Sequence, residues 1–302
     1  MKITYNNSCD GFYKDSLDVR FTNICDNNCP FCIEKSGIKC MSLDVDKMIE
    51  STIKSGKKEI LVLGGEPLLQ LRGVKAYVEG IREYVDKIYI TTSLPRTILS
   101  DLNTFTEIFN LIDGLNVSLQ HFNPDKNNEI ICATSNHNRI HELKEICDLE
   151  RRFNPLVNKD TTKIRVSINL VKGAIDNKKK IKKFLKKMQD IGVRHVKINE
   201  LQHTPDLYIS FEKTYNYNKL KSPYAHGCQG EIKLKKFPEL KITLKRACFM
   251  VEPSCISTKA DYKKYLEKRK DNKKNSKFAS GQIVLYENGM LSNGWITMTA
   301  ND

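Results

Sequence analysis

Three cysteines stand close together in ICDNNCPFC, residues 24–32: Cys25, Cys29 and Cys32, with Phe31 just before the last. Thiolates bind soft metals and iron–sulfur clusters. A structural zinc site is closed by four ligands, and an ordinary ferredoxin cluster also takes four cysteines. Here Cys9, Cys40 or a distant residue would have to be the fourth, none at a usual spacing. A cube of four irons held by three cysteines keeps one iron open to a substrate or a cofactor. The C-x3-C-x2-C spacing lets one short loop wrap three corners of such a cube, and Phe31 would shield it or pack on a bound ring.

Such a loop needs a frame. LDVRFT (residues 17–22) is a β-rich run leading straight into the cysteines. EILVLGG (59–65) is a continuous apolar run ending in glycines, the mark of a buried parallel strand. Further strands are predicted at 87–92, 115–120, 163–171 and 195–201, and helices at 44–53, 74–85, 101–112 and 137–153. Between the last two strands, Ile181, Phe184, Leu185 and Met188 fall on one helical stripe. Six strands separated by helices predict a parallel α/β sheet with right-handed crossovers. Periodicity alone leaves open whether that sheet is flat or curled into a partial barrel. After about Gln202 the pattern changes. Residues 221–249 alternate apolar and polar around a proline-containing turn and predict a hairpin. Residues 260–271 predict a lysine-rich helix, 270–277 a solvated charge run, and 283–295 a hairpin turning at Asn288-Gly289.

The chain has 302 residues, enough for one large domain or one domain with a small appendage. The polar start, MKITYNNSCDGFYKD, lacks the character of a signal peptide, and no apolar run approaches a membrane span. A cytoplasmic location is expected. Ten cysteines in such a chain point to metal or redox chemistry rather than disulfides. The formal charge of +14 comes mostly from lysines spread along the chain. They lack the arginine and aromatic interleaving of a base-reading surface, so nucleic acid is not the favoured partner.

The cysteine motif, with its aromatic residue and its place directly after the first strand, resembles that of the radical S-adenosylmethionine (SAM) enzymes. LGGEP, residues 63–67, at the end of the second strand, strengthens the resemblance. In that family a GGE segment here contacts the amino group of the methionine part of SAM: Gly64 and Gly65 let the backbone come close, and Glu66 accepts from the ammonium. ITTS (90–93) and VSLQ (117–120) resemble polar strand ends of the family, which makes Ser93 and Ser118 candidate SAM contacts. RVSINLVKGAID (165–176) resembles molybdenum-cofactor-cyclase-like and peptide-modifying members, with Asn169 a candidate contact for the ribose or carboxylate. Polar residues at strand ends also serve as caps and turn residues. His121 and Glu200 stand at similar places, with cavity-facing and ordinary structural roles both open.

The resemblance covers roughly residues 15–202. It implies a partial (β/α)6 barrel, residues 1–202, with the site at the C-terminal strand ends. A C-terminal extension, residues 203–302, containing β-hairpins and a helix, is expected to cover substrate or carry an auxiliary cluster on Cys228, Cys248 and Cys255. Their spacing fits no familiar auxiliary pattern, and Cys9, Cys40, Cys132 and Cys147 read as ordinary thiols. The implied chemistry is a [4Fe–4S] cluster on Cys25, Cys29 and Cys32 whose open iron chelates SAM. An electron from a donor such as flavodoxin or ferredoxin cleaves SAM to methionine and a 5′-deoxyadenosyl radical, which abstracts hydrogen from a peptide or small metabolite. No cobalamin-binding or methylthiotransferase domain is evident. The alternative from another class is a non-enzymatic iron–sulfur or zinc protein that binds nucleic acid through its basic surface.

Overall fold

The six predicted strands form as β1 (Ser16–Thr22), β2 (Glu59–Gly64), β3 (Lys87–Thr92), β4 (Gly114–Ser118), β5 (Ile164–Leu170) and β6 (His195–Glu200). They are neighbours in sequence order and parallel throughout. The computed structural model describes residues 16–32, 41–201, 204, 206–211, 229–245 and 283–293. Cys9, Cys40, Cys228, Cys248, Cys255, the expected helix at 260–271 and the charge run at 270–277 lie outside the described residues. None of the helices among the described residues is long and apolar enough to cross a membrane.

The crossovers carry α1 (Val45–Ser55), α2 (Leu71–Ile81), α3 (Leu102–Leu111), α4 (Pro124–Ile130), α5 (Arg139–Phe153) and α6 (Lys178–Asp190). Five of them start where a short polar side chain accepts from a first-turn N–H: Asp44, Asp101, Asn123, Asn138 and Asn177. α2 opens three residues before the predicted Val74 because Leu71 is itself buried and extends the apolar stripe. In α6 the predicted stripe of Ile181, Phe184, Leu185 and Met188 is fully buried. Each such side chain is worth about 1.5–3 kcal/mol of burial.

Strand alternation gives the sheet two unlike faces. Val62, Ile90, Val117, Val166, Ile168 and Ile198 are buried in one core with the helices. The residues between them, including Tyr89, Ser118, Ser167, Asn169, Lys197 and Asn199, form a half-buried polar face. Asn199 Nδ2 donates across it to Ser167 Oγ at 3.2 Å.

Two hairpins extend the six strands to an open sheet ordered β10-β9-β1-β2-β3-β4-β5-β6-β8-β7. β8 (Lys241–Lys245) runs parallel to β6, with β7 (Gln229–Ile232) antiparallel outside it. β9 (Ile283–Leu285) runs parallel to β1, with β10 (Leu291–Asn293) antiparallel outside it. The β9–β10 turn falls at Asn288-Gly289 as predicted. Gly289 has φ +83°, and a Cβ there would stand 2.7 Å from the Lys47 side chain. From this turn Glu287 reaches Arg20 on β1, whose Nη1 donates to both carboxylate oxygens at 2.8 and 2.9 Å. Both side chains are about 1% exposed.

Candidate active site

Sites in parallel α/β sheets form where the strands end, and two such ends meet here. The cysteine loop leaves β1 and residues 64–66 leave β2. Gly65 N–H donates to Thr22 O at 2.6 Å and Glu66 N–H to Ile24 O at 2.7 Å. Gly64 has φ +124°, and a Cβ on it would stand 2.5 Å from Thr22 O; a Cβ on Gly65 would stand 2.2 Å from Ile24 O. Two glycines are therefore required for the cysteine loop to lie down on the end of β2.

Within the loop Cys32 N–H donates to Cys29 O at 3.2 Å, which bends 29–32 into a turn. Cys25 is exposed, Cys29 and Cys32 half-buried. The Cys25 sulfur is crowded by neighbouring atoms, and burial pushes its pKa up to about 11. Among the described residues no three His, Cys, Asp or Glu side chains converge as a single metal ion requires. A four-iron cube takes one thiolate on each iron it anchors, and three cysteines on one short loop are the donor chemistry such a group requires. Phe31 packs against Val171, Ala174 and Leu201 at the ends of β5 and β6, with Ile130 and Leu207 beside them.

Glu66 is drawn into hydrogen bonds of the protein's own. Its side chain is buried, and its carboxylate accepts from Leu68 N–H (3.1 Å), Thr92 Oγ1 (2.8 Å), Ser93 N–H (2.5 Å) and Ser93 Oγ (2.6 Å). Two donors on each oxygen fill the lone-pair directions of a carboxylate. In this arrangement the carboxylate ties residues 68, 92 and 93 to the end of β2. Burial raises the Glu66 pKa, opposed by the hydrogen bonds from Ser93, Thr92 and Leu68.

Ser93 is likewise engaged. It donates to Glu66 and accepts from Asn27 Nδ2 at 2.7 Å. Asn27 in turn accepts on Oδ1 from Arg139 Nη2 at 2.9 Å. The donors all point one way, from the Arg139 guanidinium through Asn27 and Ser93 to Glu66. Such a chain, with a cation at one end and a carboxylate at the other, strengthens each link.

Arg139 is fully buried at the first turn of α5 and grips several segments. Besides Asn27, it donates from Nε to Ser93 O (2.9 Å), from Nη1 to Asn128 Oδ1, and from Nη2 to Asp26 Oδ2 (3.1 Å). The loop also donates from Asn28 N–H to Ile131 O at 3.0 Å, and Thr134 N–H donates to Asp26 O at 2.8 Å. Leu94, after Ser93, holds φ +62°. It is fixed by Thr92 Oγ1 on its N–H (2.9 Å) and by His137 Nε2 on its carbonyl (2.9 Å). Neither Arg139 nor Asn27 was anticipated from sequence. One signal was present for Arg139: a cation at a helix N-terminus opposes the macrodipole and needs another reason to be there.

The other candidates divide by position. Ser118 and Asn169 lie on the half-buried polar face, where Ser118 pairs in register with Ser167 and Asn169 with Asn199. Asn169 N–H donates to Gln120 Oε1 at 3.0 Å. Asn127 Oδ1 accepts from Gln120 and His121 N–H at 2.7 and 3.1 Å, locking the end of β4. His121 is 7% exposed and accepts on Nδ1 from Asn123 N–H at 3.0 Å, so its own proton sits on Nε2. Glu200 shares the buried parity of Val196 and Ile198 and accepts from Phe211 N–H at 2.7 Å. It braces the 206–211 segment on the helix side instead of facing the polar side. Cys147 is core, as expected, and Cys132 is exposed.

A family model described as Radical SAM superfamily matches residues 19–199. No curated protein matches the chain. Among solved structures, Streptococcus suis SuiB bound to S-adenosylmethionine is similar at 14% identity and TM-score 0.56, over 93% of this chain and 60% of SuiB. SuiB bound to precursor peptide SuiA gives the same identity and TM-score, over 93% and 59%. This chain thus spans about three fifths of the length of SuiB. At that identity the likeness is one of fold: a partial (β/α)6-type barrel whose sheet stays open.

Proposed function

The chain belongs to the radical SAM superfamily, an enzyme family that uses a [4Fe–4S] cluster and SAM, and on that premise we propose that Cys25, Cys29 and Cys32 hold the cluster. When bound, the cluster and SAM supply a one-electron cleavage that delivers a carbon radical able to take a hydrogen atom from a substrate. The observation that carries the assignment is the seating of the cysteine loop on Gly64 and Gly65, through the 2.6 and 2.7 Å hydrogen bonds to Thr22 and Ile24 carbonyls. It brings the three thiols and the main chain of 64–66 to one edge of the barrel mouth.

The chain's residues then have distinct tasks. The main chain at Gly64 and Gly65 meets the amino group of SAM, while the Glu66 carboxylate holds the end of β3 in place. Phe31 and its neighbours Val171, Ala174 and Leu201 offer an apolar surface for the adenine ring. Ser118 and Asn169, on the polar face, address the ribose and the methionine carboxylate. Residues 1–202 form the catalytic body, and residues 203–302 serve either to cover the substrate or to carry a second cluster on Cys228, Cys248 and Cys255. The external electron comes from a donor such as flavodoxin or ferredoxin. We take the substrate to be a peptide, a reading supported by the fold shared with SuiB, which has been solved with its precursor peptide.

Anaerobic reconstitution tests the assignment. The wild-type chain should bind iron and sulfide and, once reduced, release 5′-deoxyadenosine from SAM. Cys29→Ala should lose that release entirely while keeping its far-ultraviolet circular dichroism. Undiminished release from this variant sinks the ligand assignment, and a colourless chain with tightly bound zinc favours a structural metal protein.

A further inference from the structure

Asn27 touches a candidate cluster ligand directly. Its side-chain nitrogen lies 3.8 Å from Cys25 Sγ, and its main chain also hydrogen-bonds that sulfur. The free thiol stands here for the iron-bound thiolate. The same side-chain amide receives the Arg139 guanidinium on its oxygen, at 2.9 Å. A cation on an amide oxygen draws electron density from the nitrogen, and hydrogen bonds in series polarise one another. The amide shares its two protons among three acceptors: Cys25 Sγ, Asp26 Oδ1 at 3.0 Å and Ser93 Oγ at 2.7 Å.

Reduction of an iron–sulfur cluster places added negative charge on its sulfurs, and hydrogen bonds to them are among the determinants of potential. We propose that Asn27, polarised by Arg139, raises the reduction potential of the radical-generating cluster through its N–H···S contact with Cys25. The idea rests on the reading that Cys25 is a cluster ligand. It makes Asn27 a positioning and tuning residue, acting on the ease with which the electron arrives and not on the substrate. A residue that only anchored the loop would change how much cluster is loaded, and not the potential of the loaded fraction.

The test compares wild type with Asn27→Leu, and with Asn27→Met as a second apolar shape. Each is reconstituted anaerobically, iron and sulfide are counted per chain, and the cluster is titrated by EPR without SAM. The expected result is a tenfold loss in the reduced-to-oxidised ratio at fixed potential, a midpoint lower by about 59 mV for a one-electron couple. Midpoints equal to wild type overturn the proposal. So does loss of the cluster from both variants while wild type loads, because Asn27 then serves only to hold the loop. A wild-type chain that takes up no iron overturns the underlying ligand reading instead.

Discussion

Arg20 and Arg139 are both almost wholly buried, yet they solve the problem of a buried cation differently. Arg20 meets the carboxylate of Glu287, which is as buried as its partner. Tyr286 adds its ring face at 5.8 Å. Arg139 spreads its donors over neutral oxygens of Ser93, Asn27 and Asn128 and over Asp26, which is partly exposed. The first arrangement joins β1 to the β9–β10 turn across a sequence separation of 267 residues. The second pairs with Asp26 and also fixes individual atoms of the cysteine loop and of the 93 and 128 segments. A buried ion pair suits a staple, and a guanidinium whose donors fan out over several segments suits a place where several loops must be held together.

The sharpest way to break that contrast is Glu287→Ala. Removing one partner of a buried pair leaves an uncompensated charge and should cost about 3–5 kcal/mol, read from the urea midpoint. A double change to Arg20→Met and Glu287→Leu should recover most of that loss, as apolar replacements of buried pairs often do. A double variant as unstable as the single one would show that Arg20 does more than pair.

Arg139→Met should cost less stability, about 1.5–3 kcal/mol from lost charged hydrogen bonds, but should sharply reduce iron bound per chain. Arg139→Lys should restore part of the iron. Equal iron in wild type and the Met variant would remove Arg139 from the support of the cysteine loop.

The smallest effect should come from Glu142, at the margin of the Arg139 network. It lines a cleft of about 390 Å³ with Arg96, His137 and His141. Burial pushes its pKa up to about 7, with Arg139 and Arg96 pulling it down. Its folded value lies above the ordinary 4.5, so between those values the folded chain holds the extra proton and loses stability as pH rises toward 7. Glu142→Gln should match wild type in melting temperature below pH 4.5 and exceed it above pH 7. A wild type that instead gains on the variant as pH rises would reverse the assignment.

Much of the frame was readable because apolar strands such as EILVLGG announce themselves locally. The diglycine was readable because few other residues allow so close a backbone approach, although the chain it admits is the cysteine loop. Glu200 could have been placed correctly by counting, since Val196 and Ile198 set its parity. What stayed hidden depended on distant partners. Nothing near Glu66 in sequence says that Thr92 and Ser93 will saturate it, because β3 delivers them from 26 and 27 residues away. Nothing in LDVRFT says that residues 283–285 will lie beside it.

That last pairing bears on how the protein is made. The strand leading into the cysteines is among the first described segments to leave the ribosome, and the neighbour on its outer edge, β9, is among the last. Until then one flank of β1 is a raw edge, open to wrong partners, and Arg20 lacks the Glu287 carboxylate. The strand that carries the cysteine loop is thus completed on its outer side only when the distal hairpin arrives, and a nascent or truncated chain would present that loop from an unfinished support.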